Sequence, residues 1–181
     1  MPVHFIAWQT TMRRHGIEFT EEQFYKWGGR PTLEIIDRLS KMQNVEIDAD
    51  AAAVEKEQAF KDRIDQVQIR PEVVAAADAM RAAAVISVAS GGDRDTVTAQ
   101  LQHTGLDWIE IVITAEDTER HKPHPDPFLL AAERMQISPA DCLVWEDSPL
   151  GITAAADAGM SAVDVRGTPQ DWVWHEHPAP Q

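Results

Sequence analysis

Val85-Ile86-Ser87-Val88-Ala89-Ser90-Gly91-Gly92 is the stretch on which the reading of the fold turns. Residues 85–89 are a β-branched run with strand character, and Ser90-Gly91-Gly92 stops it. A helix-like segment follows over 93–103 and ends at Gly105. The same unit recurs downstream. Ile111-Val112-Ile113 is a second strand candidate and Cys142-Leu143-Val144-Trp145 a third. An alanine-rich helix follows the third, with Gly159 placed to close it as a left-handed residue. Ala162-Val163-Asp164-Val165 is a fourth. Strands alternating with helices predict an α/β core over 71–168, a parallel sheet covered on both faces.

Upstream, residues 1–70 read as helical throughout. Apolar side chains recur at helical spacing in Phe5, Trp8, Met12 and again in Leu33, Ile36, Leu39. Gly16 and Gly28-Gly29 punctuate the pattern, Thr20 with Gln23 has the form of a capping box, and a further helix is expected over about 51–67. Residues 169–181 hold three prolines and two tryptophans without periodicity, and read as a tail packed down by Trp172 and Trp174. His175 and His177 in it read as solvated rather than metal-binding.

Composition narrows the function classes. The 181 residues include 30 acidic and 16 basic side chains, a formal net charge of −14, with 44% hydrophobic and 25% charged residues. That excludes wholesale disorder, a collagen-like fibre and a multispanning membrane protein. The acidic surplus argues against nucleic acid or an anionic membrane as the main partner. It is concentrated late in the chain: residues 71–181 carry 6 basic and 18 acidic side chains, residues 1–70 carry 10 and 12. The single cysteine, Cys142, excludes an internal disulfide framework and a Cys-rich zinc site. The most apolar stretch, 73–89, is broken by Asp78 and Arg81, and the first residues have neither a basic leader nor a long apolar run, so the expected compartment is the cytoplasm.

In parallel α/β sheets, ligands bind at the carboxyl ends of the strands. Three polar clusters fall there. Ser90-Gly91-Gly92 offers a hydroxyl and unhindered amides at a helix N-terminus, which suits a phosphate; a plain Ser cap is the alternative. Lys122, the only lysine after Lys61, sits in the proline-stiffened run His121-Lys122-Pro123-His124-Pro125-Asp126-Pro127. It either neutralises an anion or is a solvated surface lysine. Glu146-Asp147 follows the third apolar strand. Adjacent acids there suit Mg²⁺, which takes one or two carboxylates plus phosphate and water; the alternative is a charge favoured by a helix N-terminus. Together the three form a phosphoryl site with its metal.

These runs resemble motifs II, III and IV of the haloacid-dehalogenase-like superfamily: Val85 through Gly91, His121-Lys122-Pro123-His124-Pro125-Asp126-Pro127-Phe128-Leu129, and Val144-Trp145-Glu146-Asp147-Ser148-Pro149-Leu150-Gly151-Ile152. The nearest branch is that of the β-phosphoglucomutase-like phosphatases, with the fructose-1-phosphatase-like group. The resemblance implies a Rossmann-like core with a helical cap inserted after the first strand, so that 1–70 is the cap. It implies that Ser90 and the Gly91 amide hold the phosphoryl group, that Lys122 stabilises its charge and the nucleophile, and that Glu146 and Asp147 hold Mg²⁺ directly or through water. His4 matches a histidine at the cap entrance, and Arg30 and Thr32 fall in the cap's specificity loop. The implied substrate is a small phosphorylated sugar.

One family element is missing. Motif I, Asp-x-Asp-Gly-Thr, supplies the nucleophile and the general acid/base, and no such run occurs in the 181 residues. Its strand lies in the family between the strands ending at Ser90 and at Glu146. The expectations are therefore a split sheet, poor folding of this chain alone or recruitment of a substitute strand, because each buried unpaired backbone group costs about 1–3 kcal/mol, a native protein extending upstream of Met1, and no turnover by the chain as written. A sugar phosphomutase, sharing these motifs, and a catalytically dead phosphate-binding relative are the rival readings.

Overall fold

Thr20 and Gln23 form the capping box expected of them. The Thr20 hydroxyl accepts from the Gln23 amide at 3.2 Å, and the Gln23 side chain accepts from the Thr20 amide at 3.0 Å. In the computed structural model, which describes residues 1–176, this box opens the second of four α-helices within residues 1–70: α1 (Pro2–Arg14), α2 (Glu21–Lys26), α3 (Thr32–Gln43) and α4 (Ala49–Lys61). The helix expected over about 51–67 ends earlier. Arg63 leaves helical geometry at φ −124°, and only a 3₁₀ turn, Ile64–Gln66, follows. The four helices enclose an aromatic core in which Phe19 contacts Trp8, Phe24 and Trp27 at ring-centroid distances of 5.3, 6.2 and 5.7 Å.

From Pro71 onward the alternation appears: α5 (Pro71–Met80), β1 (Ser87–Ala89), α6 (Arg94–Thr104), β2 (Ile111–Ile113), α7 (Asp126–Met135), β3 (Leu143–Glu146), α8 (Pro149–Asp157) and β4 (Ser161–Asp164). β1 pairs with β2 and β3 with β4, both parallel, giving the expected Rossmann-like α/β arrangement. The expected strand over 85–89 is shorter because β2 offers only three partners; Val85 stays half exposed. Gly105 and Gly159 end their helices at φ +70° and +75°, where a side chain would be strained. A second core, rich in alanine, joins Phe128, Ala132, Val144, Ala154 and Met160.

The sheet is split. Among the described residues β1–β2 and β3–β4–β5 are separate ladders, so β1 and β3 each pair on one side only. The last strand, β5 (Val173–His175), corrects the tail reading: it runs antiparallel to β4, with Val163 opposite Trp174. All three of its side chains are exposed, so no burial alternation marks it in sequence. Trp172 does pack down, edge-on to Trp145 at 5.6 Å, whereas Trp174 is 58% exposed. His177 lies outside the described residues. No helix among the described residues is long and apolar enough to cross a membrane.

Candidate active site

Asp93, not Ser90, caps α6: its carboxylate accepts from the Thr96 amide at 2.9 Å. Ser90 is thus released from the capping role, and its hydroxyl accepts from the Gly92 amide at 3.1 Å. Gly91 is constrained from the other side. A Cβ there would lie 2.3 Å from the Gly29 carbonyl oxygen, so the loop after α2 presses directly on the loop after β1. Gly29, at φ +93°, sits within van der Waals reach of Lys122 and Ser148 by the same measure.

Lys122 is not a surface lysine; it is 5% exposed. Its ammonium donates to Glu146 Oε2 at 2.7 Å and to the Ala89 carbonyl at 3.1 Å, and lies 4.6 Å from the centre of the Phe128 ring. The other Glu146 oxygen accepts from the Ser148 amide at 3.0 Å and its hydroxyl at 2.8 Å. Gly151 makes room for this carboxylate, since a Cβ there would come within 2.0 Å of Glu146 Cδ. Ser148 also caps α8, accepting from the Gly151 amide at 3.0 Å, which leaves Asp147 outside the cap.

The two adjacent acids therefore differ. Glu146 is saturated by protein donors. Asp147 is half-buried; its amide donates to Glu146 Oε1 at 3.2 Å, but its carboxylate has no hydrogen bond or ion pair among the described residues. Burial pushes its carboxyl up from the ordinary value, and the neighbouring Glu146 charge pushes it the same way. A hard cation would relieve that cost, so Asp147 fits a Mg²⁺ ligand. The described residues contain no group of three His, Cys, Asp or Glu side chains able to hold a metal. Mg²⁺ held here would draw its remaining ligands from water and phosphate, as it commonly does.

The helical segment supplies the opposite wall. His4 stacks on Phe60 at 3.8 Å and meets Gln100 Oε1 at 3.4 Å. Burial, helped by Lys56, lowers its imidazole to about 3, so the ring is neutral. Arg30 is ion-paired with Glu34, and its Nε is buried without a partner. Thr32 donates to Glu57 Oε1 at 2.8 Å.

All eight residues singled out from sequence, Ser90, Gly91, Lys122, Glu146, Asp147, His4, Arg30 and Thr32, line one cavity of about 270 Å³. A wider open groove at Ser40, Glu46, Ile47 and Asp48 contains none of them. Sequence reasoning missed Lys56 and Glu57, which line the same cavity. Lys56 is 4% exposed, bonded to Glu57 at 2.8 Å and 5.2 Å from the centre of the Trp8 ring. In sequence Glu55-Lys56-Glu57 reads as a solvated charge run. Only the burial of one face of α4 distinguishes it.

Residues 1–159 match the family of haloacid dehalogenase-like hydrolases. The chain belongs to that family. Among curated relatives this hydrolase is 34% identical over 167 residues to fructose-1-phosphate phosphatase YqaB of Escherichia coli, covering 91% of this chain and 88% of the relative. It is 28% identical over 164 residues to validoxylamine A 7′-phosphate phosphatase of Streptomyces hygroscopicus subsp. limoneus, covering 90% and 77%. Two solved structures share its fold. β-Phosphoglucomutase from Clostridium difficile superposes with a TM-score of 0.80 at 24% identity, over 90% of this chain and 76% of that one. CbbY from Rhodobacter sphaeroides, in complex with phosphate, gives 0.79 at 22%, over 92% and 80%.

Proposed function

We propose that this hydrolase is a Mg²⁺-dependent phosphatase of small phosphorylated sugars, with residues 1–70 as a cap over a core of 71–168. One observation carries the reading: Ser90 and Gly91, Lys122 and Asp147 with its unpartnered carboxylate, far apart in the chain, line one cavity. The relatives that act on fructose 1-phosphate and validoxylamine A 7′-phosphate by name support the substrate class.

In this reading Ser90 and the Gly91 amide bind the phosphoryl oxygens at the start of α6, where exposed N–H groups favour an anion. Lys122, held by Glu146 and the Ala89 carbonyl, stands at fixed distance to offset charge that builds on those oxygens. Asp147 would hold Mg²⁺ directly, and Glu146, whose oxygens already accept from Lys122 and Ser148, would act through water; the ion when bound would supply further neutralisation of phosphoryl charge. The helical wall faces the site across the cavity. A carboxylate nucleophile attacks phosphorus, the ester P–O bond breaks, and the sugar oxygen leaves as a hydroxyl, taking its proton from the general acid that the Asp-x-Asp-Gly-Thr run supplies. Water then cleaves the aspartyl-phosphate. No Asp-x-Asp-Gly-Thr run exists among the 181 residues, so these residues do not supply that nucleophile.

The test pairs the chain as given with one extended by an Asp-x-Asp-Gly-Thr segment, each assayed for phosphate release from sugar monophosphates with Mg²⁺ or with chelator. Expected is Mg²⁺-dependent release by the extended chain and none by the 181 residues alone. Turnover by the short chain overturns the assignment of the nucleophile. Binding without hydrolysis in both favours a dead phosphate-binding relative. A rearranged sugar phosphate in place of free phosphate favours a mutase.

A further inference from the structure

The two walls of the cavity handle charge differently. On the sheet side the phosphoryl site has Ser90, Gly91 and an unpartnered carboxylate suited to a cation. On the helical side the two cations are already compensated. Arg30 is paired with Glu34, and Lys56 Nζ lies 2.8 Å from Glu57 Oε1. Glu57 is itself held in place, accepting from Thr32 at 2.8 Å and from Thr96, on α6, at 3.1 Å. His4 adds no charge, being neutral. Arg30 Nε is buried and without a partner.

We infer that Glu34 and Glu57 are specificity-determining residues: by neutralising Arg30 and Lys56 they set the helical wall for an uncharged, hydroxyl-bearing body and reject a second phosphoryl group. The inference rests on the phosphatase reading above and narrows its substrate to sugar monophosphates. A second dianion at this wall meets the Glu57 carboxylate in the lining, and the Glu34 carboxylate behind Arg30, as well as the two cations, and like charges brought together are disfavoured. A sugar hydroxyl or ring oxygen meets no such penalty.

The experiment is calorimetric titration of the full chain, with Mg²⁺, against a hexose 1-phosphate, the matching hexose 1,6-bisphosphate and inorganic phosphate. Wild type is expected to bind the monophosphate about tenfold or more tightly than the bisphosphate. Glu34→Gln and Glu57→Gln are each expected to move that preference about tenfold toward the bisphosphate. Glu57 is largely buried; the more exposed Glu34 and the wild-type comparison keep the test decisive should Glu57→Gln not fold. Equal or tighter binding of the bisphosphate by wild type overturns the inference and leaves the phosphatase reading standing. An unmoved preference in a folded Glu34→Gln overturns the role of the carboxylates. Failure to bind any of the three ligands, inorganic phosphate included, overturns both readings.

Discussion

The helical and sheet segments are built on opposite packing strategies. The first encloses interlocked aromatic rings around Phe19, with Met12, Ile36 and Leu39 wholly inaccessible. The second is lean. Its core is mostly alanine, β1 and β3 each pair on one side among the described residues, and α5 buries none of its ten residues despite being mainly Ala and Val. The contrast teaches where cohesion lies. Apolar area removed from water is the main favourable term, and here the cap-like helices hold the larger side chains. The sheet half spends its buried volume on a polar assembly, Lys122–Glu146–Ser148, that lines the cavity.

The sharpest way to break this contrast is Phe19→Ala. Loss of three aromatic contacts and the cavity left behind should cost about 3–5 kcal/mol in chemical denaturation. A loss below about 1 kcal/mol would show that the helical half is looser than its packing implies. In the sheet half the equivalent strike is to add volume. Gly151→Ala should cost about 1–3 kcal/mol and displace the Glu146 carboxylate, weakening phosphate binding through Lys122. Unchanged binding in that variant would detach Glu146 from the site.

Proton linkage distinguishes the halves next, at no more than about 1.4 kcal/mol per pH unit for one group. His4 stays neutral when folded, so below about pH 6.5 the unfolded chain takes up a proton that the folded one refuses. Stability should fall as pH drops from there toward 3, and NMR should find the imidazole neutral at pH 5. Asp117 in the sheet half behaves in the carboxylate sense. Burial alone would raise it, but the Thr114 amide and hydroxyl with Arg134 and Arg94 hold it down to about 2. Its contribution is present above 3.8 and is lost as pH falls toward 2. The smallest expected effect is Thr20→Ala, about 1 kcal/mol for the lost cap, read as a modest shift of the denaturation midpoint.

Legibility in sequence followed locality. Ser90, Lys122, Glu146 and Asp147 were readable because each stands in a short run at a strand end, where a parallel sheet presents ligands. The strands themselves were placed to within two residues, because β-branched runs bounded by Gly or Pro announce themselves locally. β5 was not legible, since a three-residue edge strand with every side chain in solvent exists only through backbone pairing to β4. Lys56 and Glu57 were hidden for the complementary reason. A charge run looks solvated until α4 is docked and one of its turns is buried against Trp8, Thr32 and Thr96.

The residues in order thus determined the alternation of strand and helix, the caps, and the chemical types at the strand ends, all of which depend on neighbours a few positions away. Tertiary structure decided which of those groups remain available. It spent Glu146 on Lys122 and Ser148, left Asp147 unpartnered, and cancelled the charges of Arg30 and Lys56 against Glu34 and Glu57. The reason is physical: the cost of burying a charge is set by what it meets in space, which chain order does not specify.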